Sequence, residues 1–347
     1  MISSVAPFTS APDYPDYPGT QGPRLLADVG GTNARFAIER SAGRIESVQV
    51  LACADHPGLA HAVRAYLAAA PGALADAVKH GAIAIANPVL GDFIQMTNHH
   101  WQFSIVQLRQ ELNFDTLVMV NDFSALAMAL PHLAAGDKRQ VGGGAAVAGA
   151  AIGLLGAGTG LGVSGLVPAA DTKAGVRWTA LRSEGGHATF CPANQTELSI
   201  LQFAWRHFAH VSTERFLSGA GIELIYAALC HLRGIEAGRL SAADISRRAL
   251  SGLCTLCDEV IEIFCGMLGT AAGNLAVTLG AQGGVYIGGG IVPLLGERFD
   301  RSCFRARFEQ KGRFDAYLGA IPTYVITASY PAFIGASALL TEQIGAH

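Results

Sequence analysis

Apolar and polar residues alternate along the chain in short strand-like runs, and longer stretches with helical spacing separate these runs. In the first third the pattern predicts, in order, strands over 24–40 and 46–53, a helix over 57–70, a strand over 81–87, a helix over 104–112, a strand over 116–120 and a helix over 122–130. Further on it predicts strands from Ala151 and Gly283, helices over 195–210, 219–232, 241–250, 253–279 and 297–310, a strand over 323–327 and a final helix over 330–344. This alternation indicates an α/β fold with parallel pairing.

Two strand–turn–strand units carry glycine and threonine in their turns. They read LLADVGGTNARFAI over 25–38 and AIGLLGAGTGLGVSGLV over 151–167, and a third strand, GGVYIGGGIVP over 283–293, ends in three glycines. Backbone N–H groups of such turns can hold phosphates, whereas glycines after a strand suit a ribose or a flat ring. The repetition predicts a duplicated domain that grips one polyphosphate. The first turn is neither a Walker A loop nor a Rossmann fingerprint, and an Asn-containing hairpin turn without a ligand is the alternative.

The composition of the chain argues against several classes of protein. Half of the 347 residues are hydrophobic, 15% are charged, and the net charge of −3 comes without a Lys/Arg cluster, which argues against nucleic-acid binding. Seven scattered cysteines favour a reducing cytoplasm over a disulfide framework, and Cys254 and Cys257 are interpreted as packed thiols. Residues 1–23 have no signal-peptide pattern and are predicted to be a disordered lead-in. The glycine-rich run 145–167 is interpreted as strands and not as a membrane helix.

Four polar groups interrupt these apolar surroundings. Asp122 lies where a strand ends and a helix begins, so it is either a working carboxylate or a helix N-cap. Glu184 and His187 share the run SEGGH, which is either a ligand loop or a surface turn. Glu214 precedes a helix, and an exposed ion pair with Arg215 is its local alternative. The pair His99 and His100 lacks the further ligands of a zinc site.

Acids and amides of this kind suit a polyol, because carboxylates accept hydrogen bonds from neighbouring hydroxyls. To move a phosphoryl group onto a sugar hydroxyl, one acid must take the hydroxyl proton, and Asp122 is the predicted base. Asp28, at the end of the first strand, can orient a hydrated magnesium ion.

The chain resembles the bacterial glucokinases of the actin-like, sugar-kinase and heat-shock ATPase fold. The motifs that carry the resemblance are LLADVGGTNARFAI, IANPVLGD, VNDFSALAMALP, GAGTGLGVSGLV, SEGGHATFCP and STERFLSGAGI, and the match extends from about Leu25 to Leu340. The resemblance implies duplicated actin-like (ribonuclease H-like) ATPase domains with mixed sheets flanked by helices and two lobes around a central cleft. The expected division is a small α/β domain over 24–131 plus 331–347 and a large one over 132–330.

The resemblance also implies an ATP- and magnesium-dependent phosphorylation of the 6-hydroxyl of glucose by a homodimeric enzyme. The cysteine usage, the charge balance and the glycine-rich run predict a cytoplasmic protein without nucleic-acid or membrane partners. Asp122 matches the catalytic base. The other residues that match glucose contacts are Asn121, Glu184, His187 and Glu214. The residues that match nucleotide contacts are Ala27, Asp28, Val29, Gly30, Gly31, Thr32, Gly156, Gly158, Thr159, Gly160, Gly288, Gly289 and Gly290. Magnesium is expected to be held with ATP, with Asp28 acting through water.

Two alternatives use the same fold. One is a kinase of the repressor–ORF–kinase group that acts on another hexose or an N-acetylhexosamine, but the cysteine-rich zinc motif of that group is missing after His187. The other is a non-catalytic sugar-sensing regulator, which would need a helix-turn-helix and basic residues before the first phosphate turn. The 24 residues before Leu25 are short and acidic. Cys191 lies close to the predicted sugar loop and suggests sensitivity to oxidants.

Overall fold

The computed structural model describes residues 22–70, 74–97, 99–172 and 175–345. The lead-in predicted over 1–23 lies, except for its last two residues, outside this range. The strands are β1 (Arg24–Val29), β2 (Asn33–Ser41), β3 (Arg44–Ala52), β4 (His80–Ile85), β5 (Phe93–Gln95), β6 (Gln102–Ser104), β7 (Thr116–Asn121), β8 (Lys138–Val141), β9 (Ile152–Ala157), β10 (Leu161–Thr172), β11 (Gly175–Ala180), β12 (Val285–Gly288) and β13 (Thr323–Ile326).

The α-helices alternate with these strands. They are α1 (Leu59–Ala69), α2 (Leu74–Ala77), α3 (Ile105–Glu111), α4 (Asp122–Ala129), α5 (Gln195–Ala204), α6 (Gly219–Leu232), α7 (Ala242–Leu250), α8 (Thr255–Leu279), α9 (Ile291–Leu295), α10 (Glu297–Asp300), α11 (Phe304–Glu309), α12 (Asp315–Gly319) and α13 (Pro331–Gly345). Internal contacts divide the chain into two compact units. Unit 1 extends to Ala125 and resumes at Ala332, and unit 2 comprises Leu126–Pro331.

Unit 1 is built on a five-stranded sheet with the order β3-β2-β1-β4-β7. Strands β1, β2 and β3 are antiparallel neighbours, whereas β4 and β7 run parallel to β1. Alternate residues of β1 enter two cores. Leu25, Ala27 and Val29 pack with α1, while Leu26 packs on the opposite face against α13. Period-two alternation therefore lets helices cover both faces of the sheet.

Unit 2 is built on a six-stranded sheet with the order β11-β10-β9-β12-β13-β8. Strands β9, β10 and β11 are antiparallel, and β12 and β13 run parallel to β9. Both units thus repeat one pattern of three antiparallel strands followed by two parallel ones. The prediction of an α/β fold with mixed sheets flanked by helices is confirmed.

The core of unit 2 is centred on the 25-residue helix α8. Cys254 caps its first turn, since the Cys254 Sγ accepts the Cys257 N–H at 3.4 Å. Within the described part of the chain, α8 alone has the length and apolar composition needed to cross a membrane, and 61% of its most apolar window is buried inside the protein. Helices α6, α7 and α11 pack against it, so its apolar character is explained by core packing.

The structure differs from the sequence prediction at several places. Strands β8 and β11 form the two edges of the second sheet. They were not predicted, because charged residues break the apolar pattern of a strand in both segments. The predicted helix 195–210 ends as α5 at Ala204. The predicted helix 297–310 is interrupted after Asp300, because side chains capture backbone groups there: Glu262 Oε1 accepts the Cys303 N–H at 2.8 Å, and the Ser302 hydroxyl donates to the Phe299 carbonyl at 2.6 Å.

Candidate functional site

The first glycine turn joins β1 to β2 in unit 1. It is closed by a hydrogen bond from the Gly30 N–H to the Asn33 carbonyl at 3.0 Å, and the Cys53 N–H holds the Thr32 carbonyl at 2.9 Å. A Cβ on Gly30 would meet only the Asn33 carbonyl oxygen, at an ordinary 3.5 Å. The chain itself therefore tolerates a side chain here, and the space above Gly30 is left open for a ligand.

Asp28 lies just before this turn and forms an ion pair with Arg35. The Arg35 guanidinium donates to Asp28 Oδ2 at 2.9 Å, and the two residues are cross-strand partners in the β1–β2 register. Burial raises the pKa of Asp28, while the charge of Arg35 and its hydrogen bond oppose that rise. Sequence reasoning missed Arg35, although the short hairpin already places residue 35 opposite residue 28.

Asp122 begins α4 directly after β7, as predicted, but Asn121 is the better helix cap. The Asn121 Oδ1 accepts the N–H groups of Phe123 at 3.0 Å and Ser124 at 3.1 Å. Asp122 Oδ1 accepts from the Phe123 N–H at 2.8 Å and from the Asn121 amide at 3.0 Å. Both described hydrogen bonds of this carboxylate use Oδ1. The neighbouring amide thus caps the helix and holds the acid in place.

The environment of Asp122 favours its protonated form more than water does. Burial raises its pKa to about 6, and the nearby charge of Asp28 contributes in the same direction against the hydrogen bond from the Phe123 N–H. A carboxyl group with a pKa close to the working pH can accept a proton and release it again. Unit 1 therefore presents a glycine turn, an acid paired with arginine, and a second acid tuned toward proton transfer.

Asn87 is a further residue of this region, and it supports the Asn121 side chain. The Asn121 amide donates to the Asn87 carbonyl at 3.4 Å, and the Asn87 Oδ1 accepts the Thr97 N–H at 3.0 Å and hydroxyl at 2.9 Å. Asn87 is buried. The run Asn87-Pro88-Val89 was visible in the sequence, but the contact with Asn121 arises only because β4 and β7 are neighbours.

The second glycine turn joins β9 to β10 in unit 2, and Glu214 holds it. The Glu214 Oε2 accepts the N–H of Leu161, the residue after the turn, at 2.8 Å. A Cβ on Gly160 would overlap this carboxylate, whereas Gly158 has open space around it. The Gly158 carbonyl in turn accepts the Gly219 N–H from the start of α6 at 2.9 Å.

Glu214 does not form the surface ion pair with Arg215 that was its local alternative. The Arg215 guanidinium lies 4.3 Å from the ring centre of Phe208, in a cation–π arrangement. Glu214, itself a predicted sugar contact, is instead hydrogen-bonded to the end of the predicted phosphate turn, 53 residues earlier in the chain.

The loop with Glu184 and His187 packs against the start of β10. A Cβ on Gly186 would overlap the Leu161 carbonyl, and one on Gly185 would press on the Val163 side chain at 2.9 Å. The glycines are thus required by the chain's own packing. They leave the side chains of Glu184 and His187 exposed.

Hydrogen bonds connect this loop to the segment that carries Glu214. The Ala188 carbonyl accepts the Thr213 N–H at 2.8 Å, and the Phe190 N–H donates to the Val211 carbonyl at 3.0 Å. Unit 2 therefore brings Glu184, His187 and Glu214 onto adjoining loops beside the second turn.

The third glycine run, Gly288–Gly290, lies next to the second turn. Gly289 has a φ of +80°, and a Cβ there would overlap the Ala157 backbone, so only glycine fits. Gly290 has nothing within 4 Å of an added Cβ. Gly156–Gly160 and Gly288–Gly290 thus lie side by side at the C-terminal ends of β9 and β12, which are parallel neighbours in the second sheet.

The described residues contain no group of three or more His, Cys, Asp or Glu side chains arranged to hold a metal ion. Magnesium does not need such a cage, since it keeps several waters and is bound through one or two carboxylates together with phosphate oxygens. Asp28 meets that requirement. Its side chain is 25% exposed, and the described ion pair occupies Oδ2 only.

Known proteins resemble this chain over most of its length. The family model described as Glucokinase matches residues 25–343. The chain is 58% identical to the "Bifunctional protein glk" of Paraburkholderia xenovorans, with 93% of this chain and 49% of that protein covered. It is 53% identical to the "Glucokinase" of Chromobacterium violaceum, with 93% and 90% covered.

A solved structure, the glucokinase from an Antarctic psychrotroph, superposes with a TM-score of 0.83 at 36% identity, over 92% of this chain and 99% of that one. The chain spans about half the length of the bifunctional relatives that it matches and nearly the whole of the Chromobacterium glucokinase. The chain belongs to the glucokinase family.

Proposed function

We propose that the chain transfers the γ-phosphoryl group of ATP to the 6-hydroxyl of D-glucose. The observation that carries the proposal is the position of Asp122 at the start of α4, with the cap provided by Asn121 and the pKa raised to about 6. Family membership supplies the substrates, and the two glycine turns and three acids supply a matching set of chemical groups.

In the proposed reaction, Asp122 accepts the proton of the sugar 6-hydroxyl. The oxygen then forms its bond to the γ-phosphorus as the bond to the β-phosphate oxygen breaks, which gives glucose 6-phosphate and ADP. The reaction needs little covalent help, so correct positioning and charge stabilisation provide most of the acceleration. Backbone N–H groups of the glycine turns are suited to hold the phosphate oxygens.

Asp28 would hold magnesium together with the phosphates of ATP, through water. When bound, this ion neutralises charge on the phosphate oxygens. Arg35 has a separate role in the proposal, since its ion pair keeps the Asp28 carboxylate in one orientation at the end of β1.

Glu184, His187 and Glu214 would select the sugar. Each acid accepts hydrogen bonds from hydroxyl groups, and a sugar that lacks one hydroxyl leaves a carboxylate unpaired, which costs affinity. Glu214 is the most constrained of the three, because one of its oxygens is already bound to the Leu161 N–H.

A coupled assay of ADP formation tests the proposal across a panel of hexoses and N-acetylhexosamines, with ATP or polyphosphate as donor. We expect glucose with ATP to give the highest kcat/KM. A higher value for an N-acetylhexosamine, or no turnover of any sugar, would reject the assignment. The Asp122→Ala variant should bind glucose but lose most phosphorylation.

We infer that the two compact units correspond to the predicted domains, 24–131 with 331–347 and 132–330. Seven free cysteines suit a reducing cytoplasm. The resemblance to bacterial glucokinases favours a homodimer, which light scattering of the purified protein tests.

A further inference from the structure

Unit 2 contains a cavity of about 330 Å³ between helix α8 and the loop that carries Glu184 and His187. Its volume falls in the range of small-molecule sites, roughly 300–1,000 Å³. The floor is formed by side chains such as Val163 and Met267, which are almost fully buried. Exposed residues, among them Cys191 and Asn274, lie at its mouth.

None of the predicted sugar ligands lines this cavity, yet a chain neighbour of each of the three in unit 2 does. Ser183 and Gly185 flank Glu184, Ala188 follows His187, and Thr213 precedes Glu214. The cavity is therefore separate from the predicted sugar contacts and lies directly beside the backbone that carries them.

Hydrogen bonds connect the cavity wall to those contacts. Leu161 lines the cavity, and its N–H donates to Glu214 Oε2 at 2.8 Å. Thr213 lines it as well and donates its N–H to the Ala188 carbonyl at 2.8 Å. A molecule inside the cavity would touch backbone segments that carry Glu184, His187 and Glu214, the three predicted sugar ligands of unit 2.

The lining indicates what such a molecule is like. Every residue of the lining is uncharged. Three of its hydroxyl donors are already used, since Ser164 donates to the Leu181 carbonyl at 2.8 Å, Thr270 to the Gly266 carbonyl at 3.2 Å and Thr213 to the Ala188 carbonyl at 3.1 Å. A nucleotide or a sugar phosphate would leave its charges without a partner here. An uncharged, mainly apolar molecule would bury its surface without that cost.

We propose that this cavity binds a small, uncharged, predominantly apolar molecule, and that its occupancy tightens sugar binding by holding the loops of Glu184, His187 and Glu214 in place. The effect on sugar binding rests on the proposed function, whereas the cavity as a binding site does not. Loops that are already ordered by one ligand require less ordering when a second one binds, which gives positive coupling.

Binding to the cavity is tested with N-phenyl-1-naphthylamine, an uncharged aromatic probe whose fluorescence rises in apolar surroundings. We expect one site per chain in the wild-type protein. Ala271→Phe fills the cavity from α8, and should weaken the probe by roughly tenfold or more. Val277→Phe is the matched control, because Val277 is 41% exposed on the same helix and does not line the cavity. Equal affinity in both variants, or no saturable binding to the wild type, would overturn the proposal.

Alkylation of Cys191 gives a second measurement that needs no substitution. The probe should slow the reaction of Cys191 with iodoacetamide, and leave that of the partly exposed Cys254, outside the cavity, unchanged. Protection of Cys191 that follows protein concentration and not probe concentration would show that a second copy of the chain covers the mouth, and would overturn the proposal.

Coupling to the sugar is measured by calorimetry of glucose binding with and without the probe. We expect the glucose Kd to fall about fivefold in the wild type and in Val277→Phe, and to stay constant in Ala271→Phe. A bound probe that leaves the glucose Kd unchanged in the wild type contradicts the coupling. A wild-type chain that binds no glucose contradicts the proposed function instead, and the fluorescence result still decides whether the cavity is a site.

Discussion

The two glycine turns occupy equivalent positions in two sheets of the same strand pattern, but their surroundings differ. The first turn follows Asp28 and is closed by its own backbone, with Arg35 as the neighbouring charge. The second is also closed by its own backbone, since the Gly158 N–H donates to the Gly160 carbonyl at 2.8 Å, and it is held in addition by Glu214 and by the start of α6. The two sheets thus share one strand pattern, whereas the residues and hydrogen bonds at each turn differ.

This difference suggests that the two units contribute different functions. Unit 1 contains both the first turn and Asp122, whose pKa is raised to about 6, so this half is suited to proton transfer. In unit 2 the turn is hydrogen-bonded to Glu214, a proposed sugar ligand, so this half is suited to recognition. Substitutions in unit 1 should therefore lower kcat, and substitutions in unit 2 should raise KM.

Replacement of Asp122 by Asn should have the largest effect. The amide keeps the shape and can still accept the Phe123 N–H, but it cannot take the hydroxyl proton. We expect kcat to fall by about 10³-fold, within the range for loss of a general base, with the glucose KM changed less than about threefold. Steady-state kinetics of Asp122→Asn, beside the exposed control Asp55→Asn, provide the measurement. A rise in KM without a loss of kcat would place Asp122 among the recognition residues and remove the proposed division.

Glu214 should show the opposite behaviour. Glu214→Ala removes a proposed sugar ligand and leaves the Leu161 N–H without its acceptor, so both substrates should be affected. We expect the glucose KM to rise by about 100-fold and the ATP KM by about fivefold.

Glu184→Ala is the comparison for Glu214→Ala. Glu184 is exposed and makes none of the hydrogen bonds described for the second turn. Its removal should raise the glucose KM alone. If both variants change the ATP KM equally, Glu214 does not join the sugar loops to the phosphate turn.

Two glycines of the second turn refine this test. A Cβ on Gly160 would displace the Glu214 carboxylate, whereas a Cβ on Gly158 would enter open space. We expect Gly160→Ala to raise the glucose KM about tenfold and Gly158→Ala to raise mainly the ATP KM, by a similar factor. Identical kinetics for the two alanine variants would mean that Gly160 and Glu214 do not act together.

The sequence predicted the parts of this site that depend on local pattern. Strand–turn–strand units with glycine and threonine are visible in any window of about fifteen residues, and so is the polar step from β7 into α4. Arg35 was also accessible, because a two-stranded hairpin fixes its own register. These features depend on residues that are close together in the chain.

Long-range contacts could not be predicted in this way. The hydrogen bond from Leu161 to Glu214 and the support of Asn121 by Asn87 join residues 53 and 34 positions apart. Seen alone, Glu214 next to Arg215 suggested a surface ion pair, and only the family resemblance pointed to a ligand. The edge strands β8 and β11 were missed for a related reason, since an edge strand can carry charges that a central strand cannot.

The last expected effect concerns the folding stability of the chain, not its kinetics. The pKa of Asp122 is about 6 in the folded protein and close to 3.8 when unfolded. At a pH between these two pKa values, Asp122 is therefore protonated in the folded state and ionised in the unfolded chain. The stability from this proton is fully present below about pH 4 and is lost as the pH rises through about 6.

Asp122→Asn removes this dependence, so the inactive variant should be more stable than the wild type at pH 8, by up to about 3 kcal/mol, and should lose most of this advantage toward pH 4.5. Urea unfolding at both pH values measures the difference, with Asp55→Asn as the exposed control. If the difference in unfolding free energy between variant and wild type does not change with pH, the stabilisation comes from packing and not from removal of the buried charge. Equal stability at pH 8 would show that the environment of Asp122 is no less polar than water, and the contrast between a chemical half and a recognition half would lose its physical basis.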